Sequence, residues 1–334
     1  MRTLGRAVAA ATAAMLLLAG CAPAEPRTNP AVVTPVPEPT ASVSVTTLQT
    51  LIDAPPESPT LEQLSPPDQD GAEVVSYSSG GLTIHGVIRR PAVEDRGDDE
   101  PATDERAPGV VFVHGAVDAA SYSGLVDYSR EQRLLQDMGY VVFTPDLRNH
   151  GDSDDDPSFA NDLQVGSTLD AVNAARALAT DPGVDPDRIA VVGHSLGGAI
   201  ALGVAVVAPE VARATVALAP SNSSPWVIAE HFLEGTPYFD WLVLVHGTYD
   251  ENPEYWDAVS SLTFVDRAAS PLLIVHGTAD EVVPPEWSRE LAAAWTAAGK
   301  DVRLIEIEGA DHMFAPHRDE VFAEVEAFLA ANLR

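Results

Sequence analysis

From residue 73 onward the chain alternates short β-rich runs with longer amphipathic or small-residue stretches. Glu73 to Ser78 and Leu82 to Arg89 read as two strands joined by Ser79-Gly80-Gly81, a hairpin signal. Val110-Val111-Phe112-Val113 runs apolar without alternation, the pattern of a strand buried on both faces. Similar runs recur at Val141 to Phe143, Ile189 to Val192, Thr215 to Leu218, Leu272 to Val275 and Arg303 to Ile305. Helical spacing lies between them, over Ser129 to Met138, Asp162 to Thr180, Leu196 to Ala208, Pro285 to Ala298 and Arg318 to Leu333. An antiparallel start followed by repeated strand and helix units predicts one α/β domain over 71–334, with a mostly parallel sheet between helices.

Two stretches depart from this rhythm. Between Ser221 and Asp266 lie Trp226, Phe232, Tyr238, Phe239, Trp241, Tyr249, Tyr255 and Trp256. Aromatics make up only 6% of the chain, so this concentration predicts a short cap insertion at about 221–266, closing the core below and lining a pocket above. Residues 91–108 are charged and bounded by proline, which predicts a surface excursion.

Before the domain, residues 21–70 are rich in proline, alanine, serine and threonine. Proline at this density blocks helix and sheet ladders, so an extended tether is expected. Leu48, Leu51 and Ile52 have helical spacing, which makes Thr47 to Ile52 the piece suited to packing on the domain. Residues 1–20 read as an export signal: Arg2 and Arg6 precede an apolar run from Ala7 to Ala19 that is too short for a membrane span. Leu18-Ala19-Gly20-Cys21 resembles a bacterial lipobox, in which the cysteine is lipidated, so the expected location is the outer face of the cell membrane. Cys21 is the only cysteine, so the domain must be stable without a disulfide.

Composition narrows the partners. Hydrophobic residues are 46% of the 334 and charged residues 21%, enough apolar content for a sizeable core. Lysine and arginine number 19 against 50 acidic residues, a formal charge of −31, which repels nucleic acid and anionic headgroups. No cysteine–histidine zinc pattern or glycine-rich phosphate loop is present, and no cofactor is expected.

The chemistry is carried by Gly193-His194-Ser195-Leu196-Gly197, set between a buried strand and a small-residue helix. In this G-x-S-x-G context a sharp turn lifts the serine above the sheet, and glycines remove side chains that would collide. A serine hydroxyl needs a base to take its proton, and the base needs a carboxylate to hold its tautomer. Asp280, in His276-Gly277-Thr278-Ala279-Asp280, falls just past a strand end, and His312, in Gly309-Ala310-Asp311-His312, falls in the last strand-to-helix loop. Both positions fit the order serine, acid, histidine. Asp250 imitates Asp280 but lies in the cap without the following Val282-Val283-Pro284. Asp311 is expected to shape the His312 loop, and His317, at the start of the last helix, to have a capping or surface role. The oxyanion donors expected are the backbone N–H groups of Leu196 and, in His114-Gly115-Ala116, of Ala116. Asp152, Asp154, Asp155 and Asp156 crowd together as a calcium site would, but loop shaping is the preferred reading because the EF-hand glutamate and glycine positions are missing.

At Val113-His114-Gly115, Pro145 to Gly151, Gly193 to Gly198, His276 to Pro284 and Asp311-His312, the chain resembles bacterial α/β-hydrolases of the dienelactone-hydrolase-like and prolyl-oligopeptidase catalytic-domain type. The resemblance implies the α/β-hydrolase fold with an eight-stranded sheet, hydrolysis of carboxylic esters or peptides, and Ser195, Asp280 and His312 as triad. Serine stands where dienelactone hydrolases have cysteine, and nothing before residue 73 resembles the propeller of prolyl oligopeptidases. A small-molecule ester is therefore the expected substrate, with aminopeptidase or acylpeptide hydrolase activity second and a non-catalytic surface protein third.

Overall fold

The computed structural model describes residues 46–91, 106–119, 121–156, 158 and 163–333. The signal segment and Cys21 lie outside the described residues. The strands are β1 Glu62–Gln63, β2 Ala72–Ser79, β3 Leu82–Arg89, β4 Ala107–Val113, β5 Val141–Pro145, β6 Val184–His194, β7 Ala214–Leu218, β8 Leu272–Gly277 and β9 Val302–Ile307. They form one nine-stranded sheet in the order β1-β2-β3-β5-β4-β6-β7-β8-β9. Pairings from β1 through β3 to β5 are antiparallel, and those from β5 through β4 to β9 are parallel. The eight strands expected from sequence are all present, with β1 added at the edge.

The unalternating apolar runs have their explanation in the two cores. Val111 and Val113 of β4 belong to one core, and Val110 and Phe112 to the other. On the first face pack α3 (Val165–Leu178), α4 (Leu196–Val207) and α8 (Pro285–Ala297); on the second, α2 (Ser129–Asp137) and α9 (Arg318–Asn332). A strand covered on both sides has no face to leave polar. The α4 helix, LGGAIALGVAVV, is likewise apolar all round and buried from Gly197 to Val207.

The tether expected over 21–70 is corrected over its second half. Helix α1 (Leu48–Asp53) buries Leu48, and Leu51 and Ile52 pack against the first core. Its start is fixed by a reciprocal cap: Thr50 N–H donates to Thr47 Oγ1 and Thr47 N–H to Thr50 Oγ1. Farther along, the Glu57 carboxylate accepts from Gly80 N–H and from Asn173 Nδ2 at 3.0 Å, and β1 pairs with β2. Proline sets the extended path between these ties without preventing them.

One buried ion network braces the loop after β5. Asp170 of α3 is fully buried and accepts from Arg148 N–H, Nε and Nη2 and from Ser79 Oγ; Arg148 also pairs with Asp156 at 2.6 Å. Asp154 accepts from Thr83 N–H at 2.7 Å. Asp154 and Asp156 are thus used to shape this loop, as preferred from sequence.

The cap consists of α5 (Pro225–Leu233), α6 (Pro237–His246), α7 (Pro253–Ala258) and a 3-10 turn over Ser261–Arg267. Each cap helix begins with proline, whose fixed φ suits the first turn and whose missing N–H costs no hydrogen bond there. Tyr255 and Trp256 belong to the main core, whereas Phe232, Tyr238, Phe239 and Trp241 surround a small cluster of the cap's own. His231 and Phe232 meet Trp287 at 5.0 and 6.1 Å between ring centres, which seats the cap on the start of α8.

Candidate active site

Strand β6 ends at His194 and α4 begins at Leu196, leaving one residue for the turn. That residue, Ser195, has φ 57 and ψ −120, a region that side chains avoid. Its N–H donates to Leu218 O at 2.8 Å, which holds the turn to β7. The flanking glycines are sterically required: a Cβ on Gly193 would lie 2.0 Å from Gly197 O, and one on Gly197 would lie 2.1 Å from Val113 O. This is the physical content of the G-x-S-x-G spacing.

The other two expected residues converge on that serine. His312 Nε2 lies 3.0 Å from Ser195 Oγ, and His312 Nδ1 lies 2.7 Å from Asp280 Oδ2. A carboxylate oxygen only accepts, so Nδ1 carries the proton and Nε2 presents its lone pair to the hydroxyl. The Asp280 and His312 loops are stitched together by Ala279 N–H to Ala310 O and Gly309 N–H to Thr278 Oγ1. Asp311 accepts from Ala315 N–H through its side chain and so shapes the His312 loop.

Asp280 is 8% exposed, and burial acts to raise its pKa. Hydrogen bonds from His276, His312 and the Val283 N–H outweigh burial and hold the carboxyl well below the usual carboxylate range. It is therefore charged at neutral pH, as an orienting group for imidazolium must be.

Leu196 N–H opens α4 and has no intrahelical acceptor. Among the described residues neither it nor Ala116 N–H makes a backbone hydrogen bond, and Ala116 is exposed at the mouth of the loop after β4. The neighbouring Gly115 N–H is occupied by Tyr128 Oη at 3.2 Å. These free donors beside a lone-pair-activated hydroxyl form an arrangement competent for acyl transfer.

Asp250 is exposed on a turn of the cap, outside the hydrogen-bonded group of Ser195, His312 and Asp280. His317 is the N-cap residue of α9 and meets Glu320 at 3.3 Å. Three residues that sequence reasoning gave no part stand in the site: His276 on Asp280, His194 on His312 O, and Tyr128 on both His194 and Gly115. His276 and His194 lie inside the quoted motifs, and Tyr128 just precedes α2, but no spacing rule marks their contacts.

The sequence profile of the prolyl oligopeptidase family matches residues 126–334. Uncharacterized peptidase YuxL of Bacillus subtilis is 27% identical over 72% of this chain and 35% of its own length. Esterase LipQ of Mycobacterium tuberculosis is 30% identical over 72% of this chain and 56% of its own. The chain thus spans about a third of the one relative and just over half of the other. Among solved structures, acetyl xylan esterase from Paenibacillus sp. R4 superposes with a TM-score of 0.63 at 20% identity, covering 86% of this chain and 92% of that one. The chain belongs to the prolyl oligopeptidase family and has the α/β-hydrolase fold.

Proposed function

We propose that this protein is a serine hydrolase that cleaves carboxylic esters of small molecules through an acyl-Ser195 intermediate. The observation that carries the reading is the unbroken chain from Ser195 Oγ to His312 Nε2 at 3.0 Å and from His312 Nδ1 to Asp280 Oδ2 at 2.7 Å. As Ser195 Oγ attacks the ester carbonyl, His312 Nε2 takes its proton, and Asp280 stabilises the imidazolium that results. Negative charge develops on the carbonyl oxygen, where Leu196 N–H and Ala116 N–H receive it. Collapse expels the alcohol, which takes the proton from His312. Water, deprotonated by His312, then releases the acid and restores Ser195.

Ester over peptide is supported by the relationship to Esterase LipQ and by the near-complete span of the acetyl xylan esterase chain. Family membership and the peptidase YuxL favour the second reading, an aminopeptidase or acylpeptide hydrolase. A short aryl ester mixed with excess enzyme and quenched early should leave one acyl group on the peptide containing Ser195, detected by mass spectrometry. An acyl group on another residue would overturn the assignment.

We further propose that Cys21 carries a lipid anchor on the outer face of the cell membrane. The support is Leu18-Ala19-Gly20-Cys21 after a basic and apolar start.

A further inference from the structure

Two side chains that take no part in the acyl-transfer steps join the oxyanion loop to the general base. His194 is 4% exposed, and its Nε2 lies 2.9 Å from His312 O. A carbonyl only accepts, so Nε2 carries the proton. Burial lowers the His194 pKa from 6.5 to about 3, so the ring is neutral and Nδ1 is an acceptor. Tyr128 Oη lies 3.0 Å from that Nδ1, and its O–H therefore donates to it. The same oxygen accepts from Gly115 N–H at 3.2 Å. Each proton along Gly115, Tyr128 and His194 has one assignment.

We infer that Tyr128 and His194 are positioning residues that set the oxyanion loop, Gly115-Ala116, and the backbone of His312 at a fixed separation across Ser195. The contacts leave little play. A Cβ on Gly115 would lie 2.6 Å from Tyr128 Oη and 3.1 Å from Ser195 Cβ. The His194 ring packs 4.8 Å from His312 and 6.1 Å from Phe314, and Tyr128 packs 5.5 Å from Phe112. Tyr128 also holds φ 55, a conformation unfavourable to an aromatic residue and retained where surrounding structure over-determines it. Because Gly115 N–H is spent on Tyr128, the donor left to face the oxyanion from this loop is Ala116 N–H. The two residues act through Gly115 and the His312 backbone; they fix where the donor and the base stand.

This inference rests on the acyl-Ser195 reading, which fluorophosphonate labelling of the unaltered protein tests by itself. The experiment compares Tyr128→Phe, His194→Phe and His194→Gln with the parent on one aryl ester. It also measures their affinity for an aryl trifluoromethyl ketone, which Ser195 adds to and which places an oxyanion in the site. Tyr128→Phe and His194→Phe should lower kcat by about tenfold to a hundredfold with KM nearly unchanged, as small misplacement of reacting groups does. Ketone affinity should fall by the same factor. Gln donates through Nε2 and accepts through Oε1, so His194→Gln should recover most of kcat. Equal kcat for His194→Gln and His194→Phe, or a Tyr128→Phe protein with parental kcat and ketone affinity, would overturn the inference. If His194→Phe does not fold, Tyr128→Phe alone decides between these outcomes, since it removes one oxygen and keeps the ring.

Discussion

Nε2 of His276 lies 3.1 Å from Oδ2 of Asp280, the oxygen to which His312 also donates. His276 is fully buried, and its Nε2 also faces Val283 O at 3.1 Å. Both partners are acceptors, so Nε2–H points at the pair and Nδ1 meets Ser288 Oγ at 2.6 Å. Asp280 Oδ1 is meanwhile held by the N–H groups of Val282 and Val283 at 2.8 and 2.9 Å. The carboxylate that orients the base is thus itself oriented on both oxygens. His276→Phe should lower kcat/KM by about tenfold, the order expected when one hydrogen bond to a charged group is removed. Ester kinetics on the folded variant checks this; an unchanged kcat/KM would mean that the two backbone donors alone suffice.

Replacing the carboxylate should cost far more. Asp280→Asn presents an amide to His312 Nδ1 and favours the wrong tautomer, so a loss of about 10⁴-fold in kcat is expected by analogy with other Ser-His-Asp enzymes. Asp250→Asn, at an exposed cap position, should stay within about twofold. Measuring both variants on one ester checks the ranking, and the reverse order would move the acid into the cap.

Acid should weaken the fold through histidines buried neutral. In the cap, His246 stacks on Tyr255 at 4.1 Å, and burial lowers its pKa from 6.5 to about 4. The unfolded chain binds that proton more readily, so the contribution to stability is full above pH 6.5 and is lost as pH falls toward 4. Its size is on the order of 3 kcal/mol. His114, lowered by burial to about 4, acts in the same sense. Asp146 opposes them: burial first, then the nearby Asp152 charge, raise its pKa to about 7. Its contribution is full below about pH 4 and is lost as pH rises through 7. His246→Phe keeps a stacking ring and removes one titration, so its denaturant midpoint should fall less than the parent's between pH 6.5 and 4. Parallel curves would show that His246 is not a source of acid sensitivity.

The proposed lipid anchor should be separable from catalysis. Cys21→Ser should move the protein from the membrane fraction to the soluble fraction of its host with ester hydrolysis intact. Retention in the membrane fraction would point to attachment through something other than Cys21.

The order of the central elements was legible because parallel strands covered on both faces must be apolar at every position, as Val110 to Val113 and Leu272 to Val275 are. Ser195, Asp280 and His312 could be read because each sits at a strand end that the topology brings to one edge of the sheet. Helix α1 and strand β1 were less legible. The prolines around them outweigh a single turn's worth of apolar spacing, and what holds the segment is contact with residues far along the chain, such as Glu57 with Asn173. The supports of the site were hidden for the same reason. His194 meets His312 across 118 residues and Tyr128 across 66, and neither separation leaves a mark in local spacing.

The central claim is tested most directly by kcat/KM on a short-chain aryl ester and on the matching aryl amide, for the parent protein and for Ser195→Ala. The expected result is ester cleavage far in excess of amide cleavage, with both abolished in Ser195→Ala while its unfolding midpoint is retained. Amide cleavage comparable to ester cleavage would make the protein a peptidase, and turnover surviving in Ser195→Ala would contradict the mechanism outright.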